Sequence, residues 1–135
     1  MKEPDYIVEA KRWLQYARED LNAAELILQH PTIAHRHVCW LAQQCVEKAM
    51  KGALIYLQVD FRRTHDLDVL LNLLPFESEI RAHFADLAEL TEWAVESRYP
   101  GDWQEANQHD ARSAFGQAKE VLEIVLAELK KHGLK

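Results

Sequence analysis

Residues 38–53, VCWLAQQCVEKAMKGA, decide the fold. Val38, Ala42, Cys45, Ala49 and Gly52 recur at steps of four and three, which places them along one stripe of an α-helix. All are small or slender, so a second helix can approach that stripe closely. Nothing here alternates with a period of two, so no half-buried strand is expected. The pattern extends over about 33–59, a helix on the order of 39 Å long.

The same periodicity governs the sequence on either side. Ala10, Leu14, Ala17, Leu21, Ala24 and Leu28 alternate by four and three, predicting a helix over 5–29 with Trp13 beside its apolar stripe. Pro4 suits its entry, His30-Pro31 ends it, and Thr32 is the predicted cap of the next helix. Two long helices joined by a few residues should lie antiparallel. Beyond a polar connection at 60–65, a short helix over 66–74 is expected. Thr64 or Asp66 would cap it, Leu67, Leu70, Leu71 and Leu74 would turn inward, and Pro75 would stop it. A fourth helix, 78–97, would open at Ser78 and bury Ile80, Phe84, Leu87, Leu90 and Ala94. A turn at 99–102 and an irregular stretch at 102–107 follow. Asn107 with Asp110 forms a capping-box pattern into a last helix ending near 131, with Ala111, Phe115, Ala118, Leu122, Val125 and Leu129 inward. Lys130, Lys131 and His132 suit its negative end, and Gly133 its termination. The expectation is an all-α, up-and-down bundle of four long helices plus one short helix, in a single domain spanning 1–135.

Composition agrees. At 135 residues and 48% hydrophobic, the chain can bury a core, and only four Gly and four Pro argue against a many-turned β protein. The net charge of −6 disfavours loose, whole-surface attraction to nucleic acid or anionic membrane. No apolar run is long enough to span a bilayer, and the opening Lys2-Glu3-Pro4-Asp5 is unlike a secretion signal, so a cytoplasmic protein is expected. Cys39 and Cys45 would sit about 9 Å apart along one helix on different faces, too far for a mutual bond. They read as small buried apolar residues.

Positive charge concentrates in one region. Residues 48–65 hold Lys48, Lys51, Arg62 and Arg63 against a single acid, Asp60. Lys48 or Lys51 could hold a phosphate while Gln43 and Gln44 bond an adjacent group. Equally, Glu47 and Lys51 have the favourable i,i+4 order of a helix ion pair. In Arg62-Arg63-Thr64-His65-Asp66, the helix start could take an anion with Arg63 adding charge, and His65 could work as general acid or base. The plainer alternative is a cap at Thr64, with His65 bonding a backbone carbonyl. Arg98 ends the fourth helix and would join such a site only by reaching the same pocket. His35 and His37 would diverge by about 200° on a helix, and no zinc, EF-hand, P-loop or dinucleotide motif occurs, so no metal and no cofactor are expected. Tyr6, Tyr16, Phe61, Trp93 and Trp103 could pack in the core or stack on bases.

Four patterns occur in order: Trp13-x-x-x-Ala17-x-x-Asp20-Leu21, Gln43-Gln44-x-x-Glu47-Lys48-x-x-Lys51, Thr64-His65-Asp66-Leu67 and Ser97-Arg98-Tyr99-Pro100. Together they resemble the HEPN domain family, over about residues 5–131. The resemblance implies a small helical bundle, commonly dimeric. Many members stand beside a minimal nucleotidyltransferase as one half of a toxin–antitoxin pair, and nucleotide binding has been proposed for the group. Others are metal-independent endoribonucleases in which an Arg is followed, after four to six residues, by His. That spacing is absent here: ten residues separate Arg98 from His109, and one separates Arg63 from His65. The expectation is therefore an interaction module, homodimeric, partnered by a nucleotidyltransferase, with nucleotide or RNA contacts at Lys48, Lys51, Arg63 and His65. Two alternatives stand beside it. One is an endoribonuclease with a displaced catalytic set, His65 with Arg98 or Arg63. The other is a purely structural helical dimer.

Overall fold

The computed structural model describes residues 2–84, 87–96 and 100–135, with the backbone alone at 95 and 96. The described residues form helices and connections, with no strand among them. In chain order the helices are α1 (Asp5–Leu28), α2 (Arg36–Tyr56), α3 (Leu67–Leu73), α4 (Glu79–His83), α5 (Ala88–Glu96) and α6 (Gln108–Lys131). The fold is an all-α bundle.

Helix α2 is its axis, packing against α1, α3, α5 and α6, most extensively against α1. The stripe Val38, Cys39, Ala42, Cys45, Val46, Ala49 and Ala53 is essentially inaccessible to solvent. The two long helices run antiparallel: Asp20 meets Lys48, Trp13 meets Lys51, and Leu14 meets Gly52. At Gly52 they are in close contact. A Cβ there would lie 3.1 Å from Leu14 Cδ2 and 3.3 Å from the Ala10 carbonyl oxygen.

The ends of the helices follow local chemistry. Asn107 and Asp110 form the expected capping box of α6. Asp66 caps α3, accepting from the backbone N–H groups of Asp68 and Val69, while Thr64 Oγ accepts from Asp66 N–H. Ser78 caps α4. Helix α2 ends in a left-handed turn at Gln58, φ 59°, and Val59 N–H donates back to the Leu54 carbonyl at 2.8 Å. Gly133, φ 101°, performs the same turn after α6, where Leu134 N–H donates to the Leu129 carbonyl. Tyr56 then donates its hydroxyl to the His132 carbonyl, joining the C-terminal ends of α2 and α6.

Two local expectations shift. Thr32 does not cap α2; the chain makes tight turns through 30–34, and the helix begins at Arg36 after His35. The segment expected as one helix over 78–97 carries two described helices, α4 and α5. Phe84 leaves the helical region at φ −114°, ψ 111°, and the Leu87 N–H donates to the Asp68 carboxylate at 2.8 Å. A side chain from α3 thus accepts from the backbone just before α5.

Two substitutions probe these constraints by urea denaturation. Gln58→Gly removes the cost of a left-handed non-glycine residue and is expected to stabilise the fold by about 0.5–1 kcal/mol. Gly52→Val forces branched volume against Leu14 and the Ala10 carbonyl and is expected to cost about 1–3 kcal/mol.

Candidate functional site: a buried carboxylate beneath an exposed histidine

Gln43, Glu47 and Lys51 follow one another at steps of four along α2, on its buried side. Polar groups placed there must be paired inside the protein. Glu47 is the centre. Its Oε1 accepts from His65 Nδ1 at 2.8 Å and from Gln43 Nε2 at 3.1 Å, and its Oε2 accepts from Lys51 Nζ at 3.0 Å. Gln43 also reaches the His65 carbonyl at 3.4 Å, and its Oε1 accepts from Gln44 Nε2 at 2.7 Å. The Lys51 ammonium lies 5.7 Å from the Trp13 ring centroid, so α1 contributes an aromatic face to the same ion pair.

Burial alone would push the Glu47 carboxyl upward. Hydrogen bonds from His65, Gln43 and Lys51, with the Lys51 charge, outweigh it and hold the carboxyl below its ordinary value. Glu47 is therefore ionised, which assigns the proton of its bond with His65 to Nδ1. The His65 side chain is 58% exposed, against 6% for Glu47. Its Nε2 carries no hydrogen bond among the described residues. A neutral imidazole so held can accept a proton at Nε2, or donate one when protonated.

The other candidate residues take different positions. Lys48 is bound to Asp20 of α1 at 2.6 Å, half-buried. Lys48 and Lys51 thus lie one turn apart, but each already faces a carboxylate. Arg62 and Arg63 are exposed in the connection leading to His65. Ser97, Arg98 and Tyr99 lie outside the described residues. His65 bonds the Glu47 carboxylate through its ring, where a backbone carbonyl had been the plainer expectation. Cys39 and Cys45 are free and buried, and burial pushes both thiols up to about 12, so neither is a nucleophile. No group of three or more potential ligands that could hold a metal ion occurs among the described residues. Nor is any helix among them long and apolar enough to cross a membrane.

Sequence reasoning found the Glu47–Lys51 pair but not the role of Glu47 toward His65. The available signal was phase: residues 43, 47, 50 and 54 step by four and three through the buried side, so a glutamate at 47 demands internal partners.

Removing the carboxylate leaves Lys51 buried without its counter-ion, so Glu47→Gln is expected to cost about 3 kcal/mol in urea denaturation. The depressed carboxyl also fixes a pH dependence. Its contribution is fully present above the ordinary value of 4.5 and is lost as pH falls through the lower folded value. Stability measured downward from neutral pH should fall more steeply in the wild type than in Glu47→Gln.

Comparison with known proteins places the chain in a family. The HEPN domain family profile matches residues 10–131. The "Putative toxin MJ1304" of Methanocaldococcus jannaschii is 32% identical over 143 aligned residues, covering 93% of this chain and 92% of that protein. The crystal structure of TT1696 from Thermus thermophilus shares the fold with a TM-score of 0.72 at 24% identity, over 87% of this chain and 96% of that one. The structure of ST0689, an archaeal HEPN homologue, superposes with a TM-score of 0.66 at 25% identity, over 95% and 98% of the two chains. With a match spanning nearly its whole length and a relative similar from end to end, this chain belongs to the HEPN domain family.

Proposed function

We propose that this chain is the HEPN half of a toxin–antitoxin-type pair, and that all of 1–135 works as one interaction module rather than as a catalyst. In this reading it forms a homodimer and docks on a minimal nucleotidyltransferase. The observation that carries it is the state of the two candidate phosphate lysines. Lys48 is bound to Asp20 at 2.6 Å and Lys51 to Glu47 at 3.0 Å, so both cations already face carboxylates of this chain. A phosphate drawing on Lys51 would strip a buried carboxylate of its counter-ion, a costly exchange. The similarity to a protein named as a toxin, over nearly the full length of both chains, supports the paired system. Of the four residues expected to contact nucleotide or RNA, Lys48, Lys51, Arg63 and His65, the contacts fall to Arg63 and His65, which are exposed.

One observation favours a second reading, a metal-independent endoribonuclease. A carboxylate on Nδ1 and an open Nε2 is an arrangement suited to general acid–base work at His65. Arg63 or Arg98 would then supply the cation for a phosphate in transit. The missing Arg–His spacing weighs against it.

Co-expression with a minimal nucleotidyltransferase, followed by size exclusion with light scattering, separates the two. The module reading expects twice the chain mass alone, a stable complex with the nucleotidyltransferase, and little growth arrest when the chain is overproduced by itself. A monomer that ignores the nucleotidyltransferase overturns it. So does RNA cleavage in EDTA that disappears in His65→Ala and Glu47→Gln.

A further inference from the structure

A cleft of about 460 Å³ opens between the start of α1 and the end of α2. Its lining mixes Tyr6, Ile55, Val59 and Phe61 with the polar Gln58, Glu9 and Asp60. The left-handed turn at Gln58 sends the chain back so that residues 59–61 close the cleft opposite α1. Its charged groups are Glu9 and Asp60, with no cation in the lining. Both carboxylates are exposed, and neither has an ion-pair or hydrogen-bond partner among the described residues. Glu9 also borders a second hollow of about 210 Å³, shared with Arg12, Trp13 and Tyr16. Tyr6, Glu9, Trp13 and Tyr16 step by three and four along one face of α1, so the two hollows form one track. Tyr16 is 56% exposed.

The charge of the α1–α2 cleft is the reverse of what a phosphate requires, and along the track Arg12 borders the second hollow alone. The cations nearby on α2 are bound to their own carboxylates, while the open carboxylates face the cleft. Aromatic faces beside unpaired carboxylates attract a guanidinium, which stacks on rings and bonds carboxylates in one plane. The aliphatic stem of such a side chain would cover Ile55 and Val59. Clefts that bury a small group run from roughly 300 to 1,000 Å³, which includes this one. Tyrosine and tryptophan are the side chains that anchor protein interfaces, and the chain's net charge of −6 favours a basic partner over distance.

We infer that the α1–α2 cleft is the docking site for an arginine-bearing segment of a partner protein, its guanidinium held between Glu9 and Asp60 and its neighbouring residues laid along Trp13 and Tyr16. The inference rests on the interaction-module reading and names the face that engages the partner.

The test uses the isotope-labelled full chain and the capped peptide Ac-Leu-Arg-Leu-Arg-Leu-amide, with its Glu-for-Arg counterpart and AMP as counter-probes. The arginine peptide should shift the amide signals of Tyr6, Glu9, Asp60 and Phe61, and Glu9→Gln with Asp60→Asn should weaken its binding about tenfold or more. Three results overturn the inference: cleft signals that respond to AMP as strongly as to the peptide, cleft signals that change with protein concentration alone, or affinity unchanged in the double variant. The complex with the nucleotidyltransferase supplies a second arm. If the double variant forms it at full affinity, the cleft assignment fails while the module reading survives. If the wild type forms no such complex yet the cleft takes the peptide through its carboxylates, the assigned partner is wrong and the cleft assignment stands.

Discussion

A carboxylate that is 6% exposed on the central helix must be satisfied where it sits, and that requirement organises one end of this bundle. Glu47 cannot be hydrated, and an isolated buried charge costs several kcal/mol even after relaxation. Three donors meet it from two directions. Gln43 and Lys51 come from one turn behind and one turn ahead on α2, and His65 comes from the connection before α3. The first two would be available to any isolated helix. The third exists only when the 57–66 connection folds back over α2, so the carboxylate fixes the path of a segment that has no periodic structure of its own. Gln43 reinforces this path by bonding the His65 carbonyl as well.

That path in turn sets the start of α3. Thr64 accepts from the Asp66 N–H and Asp66 from the Asp68 N–H, so the cap follows directly on the histidine. Helix α3 then passes its constraint on: Asp68 accepts the Leu87 N–H, and Thr91 Oγ accepts the Leu67 N–H. The start of α5 is thus tied to α3 by tertiary hydrogen bonds. The apolar spacing of Ile80, Phe84, Leu87 and Leu90 is compatible with one continuous helix, and all four are buried. The Leu87 N–H, which such a helix would bond within itself, goes instead to Asp68 of α3.

This distinction explains what could be read in advance. Rods whose stability comes from their own apolar stripe appear where periodicity places them: 5–29 against Asp5–Leu28, and 107–131 against Gln108–Lys131. Features that depend on a distant partner do not announce themselves. Thr32 has the chemistry of a cap, yet the turns after Pro31 postpone the helix to Arg36. The Glu47–Lys51 pair, four residues apart, was legible; its contact with His65 spans 18 residues, and the Lys48–Asp20 pair spans 28. Both longer contacts join residues whose types are common on helix surfaces. Only the phase of Glu47 within the buried side distinguished it from a solvated glutamate.

Counting charge along the chain misleads for the same reason. Residues 48–65 are basic in sequence, but a helix distributes consecutive residues around its axis, and each lysine turns toward a different carboxylate. Lys48 finds Asp20 and Lys51 finds Glu47, neither of which lies within the basic stretch. The one acid that does, Asp60, falls after the left-handed turn at Gln58 and faces the open cleft with Glu9. Folding therefore neutralises the lysines inward and leaves carboxylates outward beside aromatic rings. The potential a ligand meets is set by which charges remain without partners, and in the lining of the cleft those are Glu9 and Asp60.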